Sequence, residues 1–127
     1  MIHCRMVAVP EALDDGKSWS FYLLSDTDTT LEATLTRIEY EWGDMPASEM
    51  PPDAPATVAP RGVARLWRDD GTGAEVRQEH HVRVRNSDGE RHLTFEFPKL
   101  YRIRTMPVVP ELSKPGHVVN AEGEARD

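Results

Sequence analysis

Between Ser18 and Asp44, apolar side chains recur at every second position, and this alternation constrains the chain more than any other feature. Successive strand side chains point to opposite faces, so Trp19, Phe21 and Leu23 share one side while Ser18, Ser20 and Tyr22 take the other. Leu31, Ala33 and Leu35 repeat the pattern against Glu32, Thr34 and Thr36. After Arg37 the phase slips by one, to Ile38, Tyr40 and Trp42, with Glu39 and Glu41 opposite. One extra residue near Thr36–Arg37 keeps the strand continuous, which predicts a β-bulge there. The density of β-branched and aromatic residues argues against a helix. The acidic link Ser25–Thr30 suits a turn, because Asp and Ser side chains bond nearby backbone. The whole segment reads as one hairpin.

The same reasoning extends along the chain. Ile2–Val9 reads as a strand with Ile2, Cys4, Met6 and Ala8 on one face and His3, Arg5, Val7 and Val9 on the other. Pro10 ends it or places it at an edge, and Leu13–Lys17 reads as a turn. Residues 45–60 hold five of the ten prolines and show no sustained period, so 44–60 reads as a long surface loop crossing between sheets. Arg61–Arg68 sets Ala64 and Leu66 against Val63 and Trp67. In Glu75–Arg85, Val76, Gln78, His80, Val82 and Val84 alternate with Arg77, Glu79, His81, Arg83 and Arg85. Arg91–Phe97 answers with Leu93, Phe95 and Phe97 inward. Asp69–Gly73 and Asn86–Gly89 are turns, the second closing a hairpin. Leu100–Thr105 reads as a further strand, with Tyr101, Ile103 and Thr105 on one face. Met106–Pro115 reads as irregular, and His117–Ala121 as a short edge strand.

These elements predict a single all-β domain over 1–121 and a flexible tail over 122–127. The expected architecture is a two-sheet antiparallel β-sandwich, immunoglobulin-like in general architecture, with a small β-barrel as the alternative. Cys4 is the one cysteine, which excludes an intramolecular disulfide and the cysteine–tryptophan–cysteine core of antibody domains. No run of about 18 apolar residues and no signal-like start occur, so no membrane association and a cytoplasmic location are expected. Residues 1–63 carry 4 Lys/Arg and 11 Asp/Glu, a net −7 that equals the net charge of the chain. That balance argues against nucleic-acid binding and leaves room for one local basic face over Arg61–Arg104.

Candidate chemistry is sparse. His80 and His81 are adjacent and so face opposite ways; His80 reads as a hydrogen-bonded core or rim residue. His81 with His92 makes a two-histidine pocket only if the register places them together. Asp26, Asp28 and Thr30 space their oxygens as a calcium loop does, but Leu31 stands where such a loop needs glycine and Arg37 where it needs glutamate. Cys4 lies on the expected buried face, and no serine sits in a glycine-flanked elbow. Catalytic residues, metal ligands and cofactors are therefore expected to be none. The preferred reading is a non-enzymatic protein-binding or self-association module. Its contact residues are expected among Trp42, Tyr22, Trp67, Arg77, Arg83 and Arg85, with Trp42 as first anchor. The competing reading is a small-molecule or metal-binding barrel, enzymatic or not, built on His80, His81 or His92.

Overall fold

A computed structural model describes residues 2–11, 18–69 and 73–122. Its strands are β1 (Cys4–Pro10), β2 (Trp19–Ser25), β3 (Leu31–Trp42), β4 (Met45–Glu49), β5 (Ala56–Val58), β6 (Val63–Asp69), β7 (Arg77–Asn86), β8 (Gly89–Phe97), β9 (Val108–Val109), β10 (Lys114–Pro115) and β11 (His117–Asn120). Two sheets contain most of them. Sheet A runs β11–β1–β2–β6, and sheet B runs β4–β3–β7–β8 with β5 also paired to β3. Every pair within both sheets is antiparallel. Neither sheet closes, so the architecture is the sandwich and not the barrel.

The core lies between the sheets. Met6, Ala8, Phe21 and Leu23 of sheet A meet Leu31, Leu35, Ile38, Val82, Val84, Phe95 and Phe97 of sheet B in one cluster. Burial of such side chains stabilises by roughly 1.5–3 kcal/mol each, which is why period-two alternation selects these faces. The inward set of β7, Val76 to Val84, and of β8, Leu93 to Phe97, is the expected one. The loop Ser87–Asp88 joins them, with Gly89 at φ +144° and Asp88 N–H donating to Asn86 Oδ1.

The bulge also forms as expected. The β3–β7 register passes from Leu35↔Val82 to Arg37↔His81, leaving Thr36 as the extra residue. Its hydroxyl donates to the His81 carbonyl at 3.0 Å. The displaced phase then turns Ile38 fully into the core and Glu39 outward.

Four expectations are corrected. First, β2 and β3 are not a hairpin: β2 pairs with β1 and β6, whereas β3 pairs with β4, β5 and β7. The acidic link is a corner between sheets, because its polar groups bond outward to other segments. Asp26 N–H donates to the His3 carbonyl, and the Thr27 hydroxyl both accepts from His3 N–H (2.9 Å) and donates to the His3 carbonyl (3.1 Å). Arg61 N–H reaches the Thr27 carbonyl. The two apolar faces then meet across the core instead of lying side by side.

Second, the proline-rich stretch contains two strands, β4 and β5. Gly43, at φ +54°, occupies the first of two turn positions between Trp42 and Met45, a place that favours glycine. β4 and β5 then pair with the two ends of β3, and Val58 anchors β5 in the core. Pro46 is tolerated because β4 is an edge strand. The crossover between sheets itself is short, from β5 to β6.

Third, Leu100–Arg102 is a 3-10 turn and not part of a strand, closed by N–H bonds from Arg102 to the Lys99 carbonyl and from Ile103 to the Leu100 carbonyl. The turn follows directly on Pro98, which ends β8, and it buries Leu100 while Tyr101 stays exposed. Fourth, 106–115 is organised: β9 and β10 form a small ribbon over the outer face of sheet A. There Val109 and Leu112 cover Val7, Val9 and Leu24, so β1 is buried on both faces, which its two-sided apolar sequence foreshadows.

A second bulge, in β6, moves the register from Phe21↔Trp67 to Tyr22↔Arg65 and brings Trp67 to the core side with Ala64 and Leu66. Edge strand β11 appears where expected, paired to β1. The turn expected at Leu13–Lys17, most of that at Asp69–Gly73, and all but Glu122 of the tail lie outside the described residues.

Candidate functional site

The solvent face of sheet B collects the polar set of β3, β7 and β8. Cross-strand register places Glu39 opposite Glu79 and Glu79 opposite Glu96, three carboxylates in one row. Next to it lies the row of Arg37, His81 and Thr94. Like charges directly opposite are destabilising, so the carboxylate row requires compensation. Arg37 Nη2 bonds Glu39 Oε1 at 2.7 Å, and Arg77 pairs with Glu96. His81 Nε2 lies 3.2 Å from Glu39 Oε1 and 3.4 Å from Glu79 Oε1. The other ring nitrogen, Nδ1, is 3.4 Å from the Thr94 hydroxyl.

His81 and His92 are not opposite each other. Thr94 faces His81, and Arg83 faces His92, so the two are diagonal neighbours, yet both line one open cavity with Thr36, Arg37, Met50 and Thr94. His92 is solvent-exposed beside Glu90, at 3.4 Å. His80, on the other side of the same strand, is wholly buried. Its ring lies against Phe21 and Phe97, with centroids 4.4 and 5.0 Å away, and its Nε2 is 2.8 Å from Gln78 Oε1. Burial, with a smaller contribution from His81, pushes its pKa down to about 3, so it is a neutral core residue, as the sequence suggests.

The expected contact residues are scattered. Arg77, Arg83 and Arg85 do share the outer face of sheet B, and all three meet carboxylates. Arg83 lies near Asp53 and Glu90, at 3.6 and 4.0 Å, and Arg85 bonds Glu32 at 2.8 Å. The face is thus mixed in charge, and exposed pairs of this kind contribute little to stability. Tyr22 is half-buried on the opposite side of the molecule, against the cluster under the β9–β10 ribbon. Trp67 packs on the main core. The acidic corner is likewise committed: Asp26 takes Arg5 at 2.7 Å and Asp28 takes Arg61 at 2.8 Å, the latter holding the Asp28 carboxyl below its usual range.

Trp42 stands apart. It follows Ile38 and Tyr40 on the core-facing side of β3, but there sheet B runs past its partner sheet. Exposure climbs from 0% at Ile38 to 38% at Trp42, and Met45, directly opposite on β4, is 75% exposed. Tyr40 is half-buried at the root of this ledge, and its hydroxyl bonds Glu49 at 2.9 Å; burial, then the Glu49 carboxylate, raises its pKa. Met45 was not among the sequence candidates. The signal for it would have been recognition of Gly43–Asp44 as a two-residue hairpin turn.

No protein-family model matches this sequence, and no curated protein matches it significantly. Among the described residues no helix is long and apolar enough to cross a membrane.

Proposed function

We propose that this chain is a non-enzymatic protein-binding module whose docking surface is the overhanging end of sheet B. The observation that carries the reading is the opposed pair Trp42 and Met45, two large apolar side chains on a face that elsewhere is core. An aromatic anchor beside an adaptable thioether is a combination that interfaces favour. Asp44 in the joining turn and Glu49, bonded to Tyr40 at the root of the ledge, are exposed and give it an acidic rim, so the surface suits a partner that offers an apolar side chain flanked by lysine or arginine. A second copy would bring the same acidic rim and is disfavoured.

Topology supports the same class. Strand order β11–β1–β2–β6 against β4–β3–β7–β8 resembles A–B–E against C′–C–F–G of an immunoglobulin-like sandwich, with β11 as an added edge strand beyond β1. Such sandwiches are frequent interaction scaffolds, and this support is by analogy of fold alone.

Native mass spectrometry of the protein isolated from its own source, beside Trp42→Ala and Met45→Glu variants, tests the proposal. The expected result is a stoichiometric heteromeric complex that both variants lose while their melting temperatures stay within a few degrees of the parent. A complex that persists in both variants, or a homodimer held through this ledge, overturns the proposal.

A further inference from the structure

We propose that Glu39, Glu79 and His81 form a three-ligand site for a zinc-class divalent cation on the solvent face of sheet B. The proposal stands apart from the docking ledge and rests on different observations. One ligand atom from each of the three residues falls within a 4.8 Å group. The separations from His81 Nε2 to the two carboxylate oxygens, 3.2 and 3.4 Å, match the edge of a small coordination tetrahedron. Zinc bonds to nitrogen and oxygen of about 2.0–2.2 Å set ligand–ligand edges of about 3.3–3.6 Å.

A second observation points the same way. His81 Nε2 is shielded from solvent yet makes no hydrogen bond, because neither nearby carboxylate oxygen lies in line with it. A buried ring nitrogen without an aligned partner is costly for a protonated or a neutral imidazole. A cation held between the nitrogen and both oxygens removes that cost, and it removes the like-charge opposition of Glu39 and Glu79 as well.

The outer groups fit a metal site. Thr94 Oγ1, 3.4 Å from Nδ1, can accept its proton in the tautomer that leaves the Nε2 lone pair for the cation. Arg37 Nη2 bonds the same Glu39 oxygen, Oε1, at 2.7 Å, so that oxygen would ligate the cation with its second lone pair while the guanidinium fixes the carboxylate. Three protein ligands leave a fourth position for water or a bound molecule, the arrangement of open zinc sites. The imidazole nitrogen favours a zinc-class ion over magnesium or calcium, whose ligands are oxygens.

Isothermal titration of the metal-stripped full chain with zinc chloride tests the site. We expect one zinc per chain, an affinity at least about a hundredfold weaker in Glu79→Gln and in His81→Ala, and about tenfold weaker in Thr94→Ala. His92→Ala should bind as the parent does, and a thousandfold excess of magnesium should not displace the zinc. Cobalt loading adds a readout of geometry, the intense visible absorption of a four-coordinate centre. All four substitutions lie on the solvent face, and Glu79→Gln preserves shape, so a folded variant is available. Absence of saturable binding by the parent overturns the proposal. So does zinc affinity unchanged in both Glu79→Gln and His81→Ala, or lowered equally by His92→Ala.

Discussion

The Thr36 hydroxyl donates to the backbone carbonyl of His81, a residue forty-five positions away, and so closes the gap that the extra residue of β3 opens in the ladder. Everything beyond that point on β3 depends on it. With the phase moved by one, Ile38 enters the core and Glu39 comes to stand opposite Glu79 on the solvent face.

Thr36→Val should therefore cost about 1 kcal/mol, the net value of one hydrogen bond, without changing the fold. Inserting one residue between Arg37 and Ile38 should be far worse, because it would turn Ile38 and Tyr40 into solvent and Glu39 and Glu41 toward the core. Urea denaturation of the two variants distinguishes the outcomes: a shifted midpoint with a two-state curve for the first, and no cooperative transition for the second.

Stability should fall as the pH drops below about 6.5. The folded protein keeps His80 neutral down to about pH 3, whereas the unfolded chain protonates it near 6.5. Between those values the unfolded state binds more protons, so the contribution is fully present above 6.5 and is lost progressively toward 3. The slope from this group is at most about 1.4 kcal/mol per pH unit. Denaturation midpoints measured from pH 7.5 to 4.5 should show this decline, and His80→Leu should reduce it, even though that variant removes the His80–Gln78 hydrogen bond.

Gly116→Ala should destabilise by about 1–3 kcal/mol. A Cβ at this position would meet Val7 Cγ2 at 2.6 Å and the Ala8 carbonyl oxygen at 3.2 Å, and neither the strand backbone nor a fully buried valine can give way cheaply. Thermal melting reads the effect. A melting temperature equal to the parent's would mean that the chain between β10 and β11 lies farther from β1 than these distances require.

Thr27→Val should cost about 1–3 kcal/mol by removing the hydroxyl that accepts from the His3 amide and shares the His3 carbonyl with Asp26 N–H. Thr27→Ser, which keeps the hydroxyl, should recover most of the loss. Hydrogen exchange at the His3 amide gives a local readout, faster in the valine variant and protected in the serine one.

Period-two alternation made the β7–β8 pair, the bulge at Thr36, the burial of His80 and the edge strand at the end of the chain legible, because each depends on the direction of neighbouring side chains. Pairing partners were not legible. Nothing local in Ser25–Thr30 says that Asp26 and Thr27 will bond His3 and Arg61 in addition to the Ser25–Thr27 contact inside the link, and that decides between a hairpin and a corner. The proline-rich stretch misleads in a similar way, since proline forbids central strands but not edges, and β4 and β5 lie where β3 has no other neighbour. The convergence of Glu39, Glu79 and His81 also depends on register. A slip of one residue between β3 and β7 would send Glu79 and His81 to the face opposite Glu39.

Sheet A is completed by pairing Arg5–Ala8 with His117–Asn120, partners more than a hundred residues apart. Long separations of this kind slow folding, since loop closure must precede the contacts that reward it. During synthesis the β1–β2 pair can form early, but it must wait with one edge open and Val7 and Val9 bare until the last strand and its ribbon have left the ribosome. An unpaired apolar edge is a template for joining with another chain. The growing polypeptide is therefore most exposed to aggregation, and to capture by chaperones, in the interval before residue 120 emerges.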